Sequence, residues 1–144
     1  MVLLELLATF TCALFAGAAL YITLVEHPTR LKLETKLAAK QWVPSYAPAA
    51  RMQAPLALVS FVAGAIVWLA DADVAWLIAA LLIGLVVPFT LLVIKPANDK
   101  LLEPDRDLSS RETRSLLERW GRLHAVRTVL AVFSFALYLW LLAR

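Results

Sequence analysis

The chain's two histidines sit in polar runs that could do acid–base chemistry: Glu26-His27-Pro28, and the set Trp120, His124 and Arg127. An imidazole titrates near neutral pH, so His27 or His124 is a candidate general base toward an acidic phenol or a carbon acid. Arg127 or Asn98 would then hold the oxyanion that forms. Leu116, Trp120, His124 and Arg127 recur at i, i+4, i+8 and i+11 and therefore share one helical face. Tyr21, Tyr46, Gln53 and Trp120 fall at the same level and are candidates to contact a substrate. Two other uses of these residues stay open. His27, His124 and Glu26 could ligate a transition metal as two imidazoles and a carboxylate. The two histidines could instead hold a haem from opposite helices. No H-x-x-E-H or C-x-x-C spacing supports a metal, and the base mechanism requires no cofactor. Serine-nucleophile, phosphate-loop and dinucleotide patterns are absent.

The elements that must position these groups are membrane spans. The chain has 144 residues, 62% of them hydrophobic, and a mean hydropathy of +0.77. A soluble domain of this size could not bury that much apolar surface. A hydrocarbon core about 30 Å thick needs roughly 20 apolar residues as a helix, and four stretches suit that length. Backbone groups in lipid must bond within their own segment, so helices are expected. The strand-type alternation of a membrane barrel is absent. The reading is a single all-α domain over 1–144, a four-helix transmembrane bundle with spans at about 3–25, 52–70, 74–95 and 123–143. The first stretch reads as a retained helix rather than a signal peptide, because it is long and carries Glu5 in place of a basic start.

The connections have their own signals. Pro28 disfavours helix at His27 and is expected to end or kink the first span. Residues 29–41 alternate Leu31, Leu33 and Leu37 with Arg30, Lys32, Lys36 and Lys40, which predicts a short amphipathic helix on the membrane surface. Trp42, Pro44, Tyr46 and Pro48 read as a rigid interfacial link. Asp71-Ala72-Asp73 is a tight hairpin between spans two and three, and Pro88 should kink span three. Ser109 followed by Glu112 reads as a capping box that starts a long extended fourth helix, with a bend available at Gly121.

Thirteen of the fourteen Lys and Arg residues lie in two segments, five from Arg30 to Arg51 and eight from Lys95 to Arg127. By the positive-inside bias, these basic loops are cytoplasmic and both termini lie outside, as in a protein of the bacterial inner membrane. A basic face suits the lipid bilayer as partner. Nucleic acid is excluded as one, because acidic residues are interspersed and the net charge is only +3. Small residues on the first three helices permit a homodimer. The lone Cys12 allows no intrachain disulfide. Glu26 and Arg127 share a depth, and an ion pair between them is expected to close the inner end of the bundle.

Three segments then resemble one family together: Glu26-His27-Pro28-Thr29-Arg30; Val87-Pro88-Phe89-Thr90 leading to Ile94-Lys95-Pro96-Ala97-Asn98; and Arg119-Trp120-Gly121-Arg122-Leu123-His124-Ala125-Val126-Arg127. In these the chain resembles the DUF1772, anthrone oxygenase-like family over essentially its whole length. The resemblance implies a four-helix membrane protein. It also implies an oxidoreductase relationship, since some fungal members oxidise anthrones to anthraquinones with no established cofactor. It marks Glu26, His27, Asn98, Trp120, His124 and Arg127 as site residues. The expectation is an integral membrane oxidoreductase for a lipophilic aromatic or quinone-like molecule. The alternative is a haem-, metal- or lipid-binding module, or an accessory protein, without catalysis.

Overall fold

The computed structural model describes residues Met1–Arg144. It is all-helical, without strands, and four helices are long and apolar enough to span a membrane. They are α1 (Val2–Arg30), α2 (Thr35–Asp71), α3 (Val74–Leu101) and α4 (Arg111–Ala143). Only 37 of the 144 residues are buried, because the large apolar side chains point outward: Leu3, Leu69 and Leu92 are each more than 70% exposed. That inversion suits a hydrocarbon solvent.

The helices are longer than the spans expected from hydropathy. α2 has 37 residues, about 56 Å at 1.5 Å per residue, well beyond the hydrocarbon core. The separate interfacial helix over 29–41 and the aromatic link after it do not exist as such. The chain turns at Leu31–Glu34, and α2 then runs unbroken through Pro44, Pro48 and Pro55. Nor does Pro28 end α1. Just before it, Ile22–Glu26 form a wide π-type turn in which the His27 amide bonds to the Ile22 carbonyl. A second wide turn, Thr90–Ile94, precedes Pro96. The extra residue in such a turn shifts the carbonyl that a proline ring would otherwise strike, so the helix continues. Regular helix is also interrupted at Leu85, a turn before Pro88.

The caps are largely local. Ser110, one residue beyond the expected Ser109, caps α4 and accepts from the Thr113 amide at 3.1 Å. Glu112 pairs instead with Arg106 at 3.5 Å. At the opposite end, Ala72 takes a left-handed conformation (φ 56°) and Asp73 caps α3 through the Ala75 amide at 3.0 Å. Arg144 pairs with Asp73 and lies 5.0 Å above the Trp140 ring, fastening the end of α4 to this hairpin.

Two cores result. The mid-bundle core packs small residues such as Ala8, Cys12, Ala16, Ala57, Ala79 and Ala131 around Phe15, Trp76 and Tyr138. Close backbone approach and interhelical hydrogen bonds hold helices together in lipid. Ser60 donates to the Ala8 carbonyl at 2.8 Å and Ser134 to the Ala79 carbonyl at 2.7 Å. Tyr138 donates to the Ser60 carbonyl at 3.2 Å. The second core, at the basic end, joins Trp42 of α2, Ile94 and Leu101 of α3, and Leu117 and Trp120 of α4.

Candidate active site

Between the two cores lies a chamber of about 380 Å³, walled by all four helices. Its apolar lining includes Phe15, Ile22, Ala57 and Val86, and its polar lining is Glu26, Arg30, Ser45, Tyr46, Gln53, Thr90, His124 and Arg127. That volume falls in the range of roughly 300–1,000 Å³ typical of small-molecule sites.

One wall is a run of aromatic rings. Trp120 packs against both imidazoles, with ring centroids 4.9 Å from His27 and 4.8 Å from His124. Trp42 meets Trp120 edge-on at 5.7 Å, and Tyr46 stacks on Trp42 at 5.2 Å. The two histidines therefore share a layer, as their sequence positions suggest, with one indole against both.

Their hydrogen bonds give them different roles. Arg30 donates to His27 Nδ1 at 2.8 Å, and a guanidinium can only donate. Nδ1 must hold a lone pair, the proton is on Nε2, and Nε2 donates to the Leu117 carbonyl at 2.9 Å. Both nitrogens are occupied. Gly121 makes this possible, since a Cβ there would lie 2.5 Å from His27 Cδ2. His124, only 1% exposed, bonds through Nδ1 to Thr23 Oγ1 at 3.0 Å. Its Nε2 has no partner in the protein, and the ring lines the chamber.

Arg127 does not pair with Glu26. The nearer partner takes that carboxylate: Arg30, one turn along α1, binds Glu26 at 2.5 Å, and Gln41 accepts from Arg30 Nε and donates to Glu26 at 3.3 Å. Arg127 donates to Gln53 Oε1 at 3.0 Å and lies over the Phe15 ring at 5.5 Å. It meets no carboxylate, and its Nε is buried without a partner. Gln53, 2% exposed, turns its oxygen to Arg127 and leaves Nε2 unpaired. The lining thus carries two guanidiniums and one carboxylate, a net charge of +1 in a largely apolar cavity.

The remaining candidates divide. Asn98 is buried behind the chamber rather than in its lining, and its Nδ2 donates to Tyr46 Oη at 3.0 Å. Tyr21 is 57% exposed and outside the chamber. Glu26, His27 and His124 do not form a metal-binding group, because the first two are committed to Arg30 and Leu117. His27 has no ring nitrogen free for a haem iron, since Arg30 and the Leu117 carbonyl take both. Sequence reasoning passed over Arg30, Trp42, Thr23 and Thr128. Thr128 was detectable, one helical turn after His124, and Arg30 was detectable at i+4 from Glu26.

A family model described as anthrone oxygenase matches residues 42–137, two thirds of the chain. This chain belongs to the anthrone oxygenase family. The matched region of this anthrone oxygenase family member contains Trp42, Tyr46, Gln53, Asn98, Trp120, His124 and Arg127; Glu26, His27 and Arg30 precede it. No curated protein and no solved structure matched the chain.

Proposed function

We propose that the protein is a membrane-embedded oxidoreductase that oxidises a flat, lipophilic aromatic carbon acid of the anthrone type, with the chamber as its active site. The observation that carries the reading is the all-donor set on one side of the chamber. Arg127 lacks a carboxylate and Gln53 Nε2 lacks an acceptor, beside an imidazole with a free nitrogen. A buried charge without a partner is costly, so its persistence suits a site that receives an anionic oxygen.

The chemistry follows from these groups and dioxygen as co-substrate. His124 Nε2 removes a proton from the methylene carbon next to the aromatic rings, and the electron pair delocalises onto the ring ketone oxygen. Arg127 and Gln53 hold that enolate; Asn98 acts behind Tyr46. The carbanion gives one electron to dioxygen, and the resulting pair combines with a new C–O bond. The peroxide takes the proton back from Nε2. Loss of the second C–H proton with O–O cleavage leaves a ketone and water, so CH2 plus O2 becomes C=O plus H2O. In this reading the basic end faces the cytoplasm and substrate enters from the inner leaflet.

The test uses purified protein in lipid nanodiscs with anthrone, following quinone absorbance and oxygen uptake. Wild type should accelerate both. His124→Ala should lose turnover by a factor of about 10² or more, the usual contribution of a general base, while keeping its helical melting transition. Full activity in His124→Ala would refute the assignment.

A further inference from the structure

We propose that Thr23 and Thr128 are positioning residues that hold the proton of His124 on Nδ1 and so present the Nε2 lone pair to the chamber; this rests on the reading of His124 as the base. The inference comes from counting protons along one chain of contacts. His124 Nδ1 lies 3.0 Å from Thr23 Oγ1, which lies 2.7 Å from Thr128 Oγ1. Thr128 Oγ1 lies 3.2 Å from the Ala19 carbonyl and 3.3 Å from the His124 carbonyl. The run ends on carbonyls, which only accept.

Three proton arrangements are available. In the first, Thr128 donates to a carbonyl, Thr23 donates to Thr128, and Nδ1–H donates to Thr23. Three protons then make three hydrogen bonds. In the second, Thr128 donates to Thr23 and Thr23 donates to Nδ1. The contacts from Thr128 to the carbonyls then hold no proton, and one bond is lost. In the third, Thr128 donates to a carbonyl and Thr23 donates to Nδ1; the contact between the two hydroxyls then holds no proton, and one bond is again lost. His124 and Thr128 are buried and Thr23 is half-buried; an unmade hydrogen bond there is costly, so the first arrangement prevails. It leaves Nε2 of His124, a residue of the chamber lining, without a proton, and the buried unpaired atoms of that lining, Gln53 Nε2 and Arg127 Nε, are donors.

The same logic fixes His27 the other way, with its proton on Nε2, because Arg30 donates to its Nδ1. The protein's only two imidazoles are therefore opposite tautomers. This can be measured without turnover.

Protein labelled with 15N at histidine, in nanodiscs, should give one imidazole protonated at Nε2 and one at Nδ1 by nitrogen–proton correlation NMR. His124→Ala removes the second set and so assigns it. Thr23→Val takes away the acceptor for Nδ1–H and should convert His124 to the Nε2–H form, with His27 unmoved. Thr23→Ser should restore the original pattern. Thr128→Val, which frees the Thr23 proton for Nδ1, should convert it too. In the anthrone assay, Thr23→Val should lower kcat about tenfold with KM little changed. His124 protonated at Nε2 in wild type, or an unchanged tautomer in both valine variants, overturns the proposal. If His124→Ala stays fully active while the NMR pattern stands, the base reading fails and the relay survives. If His124→Ala is inactive but the tautomer is Nε2–H, the relay fails and the base is presented by other means.

Discussion

The middle of the bundle and its basic end bury polar groups under different rules. In the middle, the hydroxyls of Ser60, Ser134 and Tyr138 each donate to a backbone carbonyl of a neighbouring helix. At the basic end, the buried atoms Gln53 Nε2, Asn98 Oδ1 and Arg127 Nε have no partner. Hydrocarbon penalises an unmade hydrogen bond heavily, so the first region is built to be finished and the second to be completed. On the proposed function, the contrast separates polar groups that hold helices together from groups, Gln53 and Arg127, left free for a ligand.

Arg127→Met should widen that contrast most. Removing an uncompensated guanidinium should cut anthrone turnover about 10²-fold or more, the scale seen when one oxyanion donor is lost. The melting temperature should hold or rise, because an unpaired buried charge is lost. Turnover like wild type, or a collapse in stability, would show that Arg127 belongs to the framework. Gly121→Ala comes next. Its methyl would push the His27 ring off the Leu117 carbonyl, at a cost of about 1–3 kcal/mol in unfolding free energy for overpacking. Ser134→Ala is the smallest. Losing its bond to the Ala79 carbonyl should cost about 0.6 kcal/mol, an average interhelical hydrogen bond in lipid. Turnover should not change; a kinetic defect there would blur the division.

The architecture was legible because it depends on hydropathy along the chain: four apolar runs gave four helices, and the hairpin at Asp71-Ala72-Asp73 fell where two acids met. The helix through Pro28 was not, because it depends on a wide turn whose cost only the packed backbone reveals. The shared depth of His27 and His124 was readable from their distance to the apolar runs. Their partners were not. Treating Pro28 as a terminus hid the i, i+4 pair of Glu26 with Arg30, so Glu26 was assigned to Arg127 across the bundle. Trp42 read as an interface anchor because the helix that carries it inward spans three prolines. The hydroxyl of Thr23 left little signal, since such residues mostly bond their own helix.

The wide turn at Ile22–Glu26 also sets the orientation of the polar residues in and after it. One added residue rotates the rest of a helix by about 100°. Glu26 lines the chamber, and His27 and Arg30 are 4% and 3% exposed, on a helix whose outer side carries Leu24 and Val25 at 67% and 49%. A first helix one residue shorter at that point would keep its length, hydropathy and composition almost unchanged. It would also swing a guanidinium toward the acyl chains and strip the second imidazole of its tether. The register of a single turn, invisible to any average along the chain, decides whether α1 brings its polar groups to the chamber or merely crosses the bilayer.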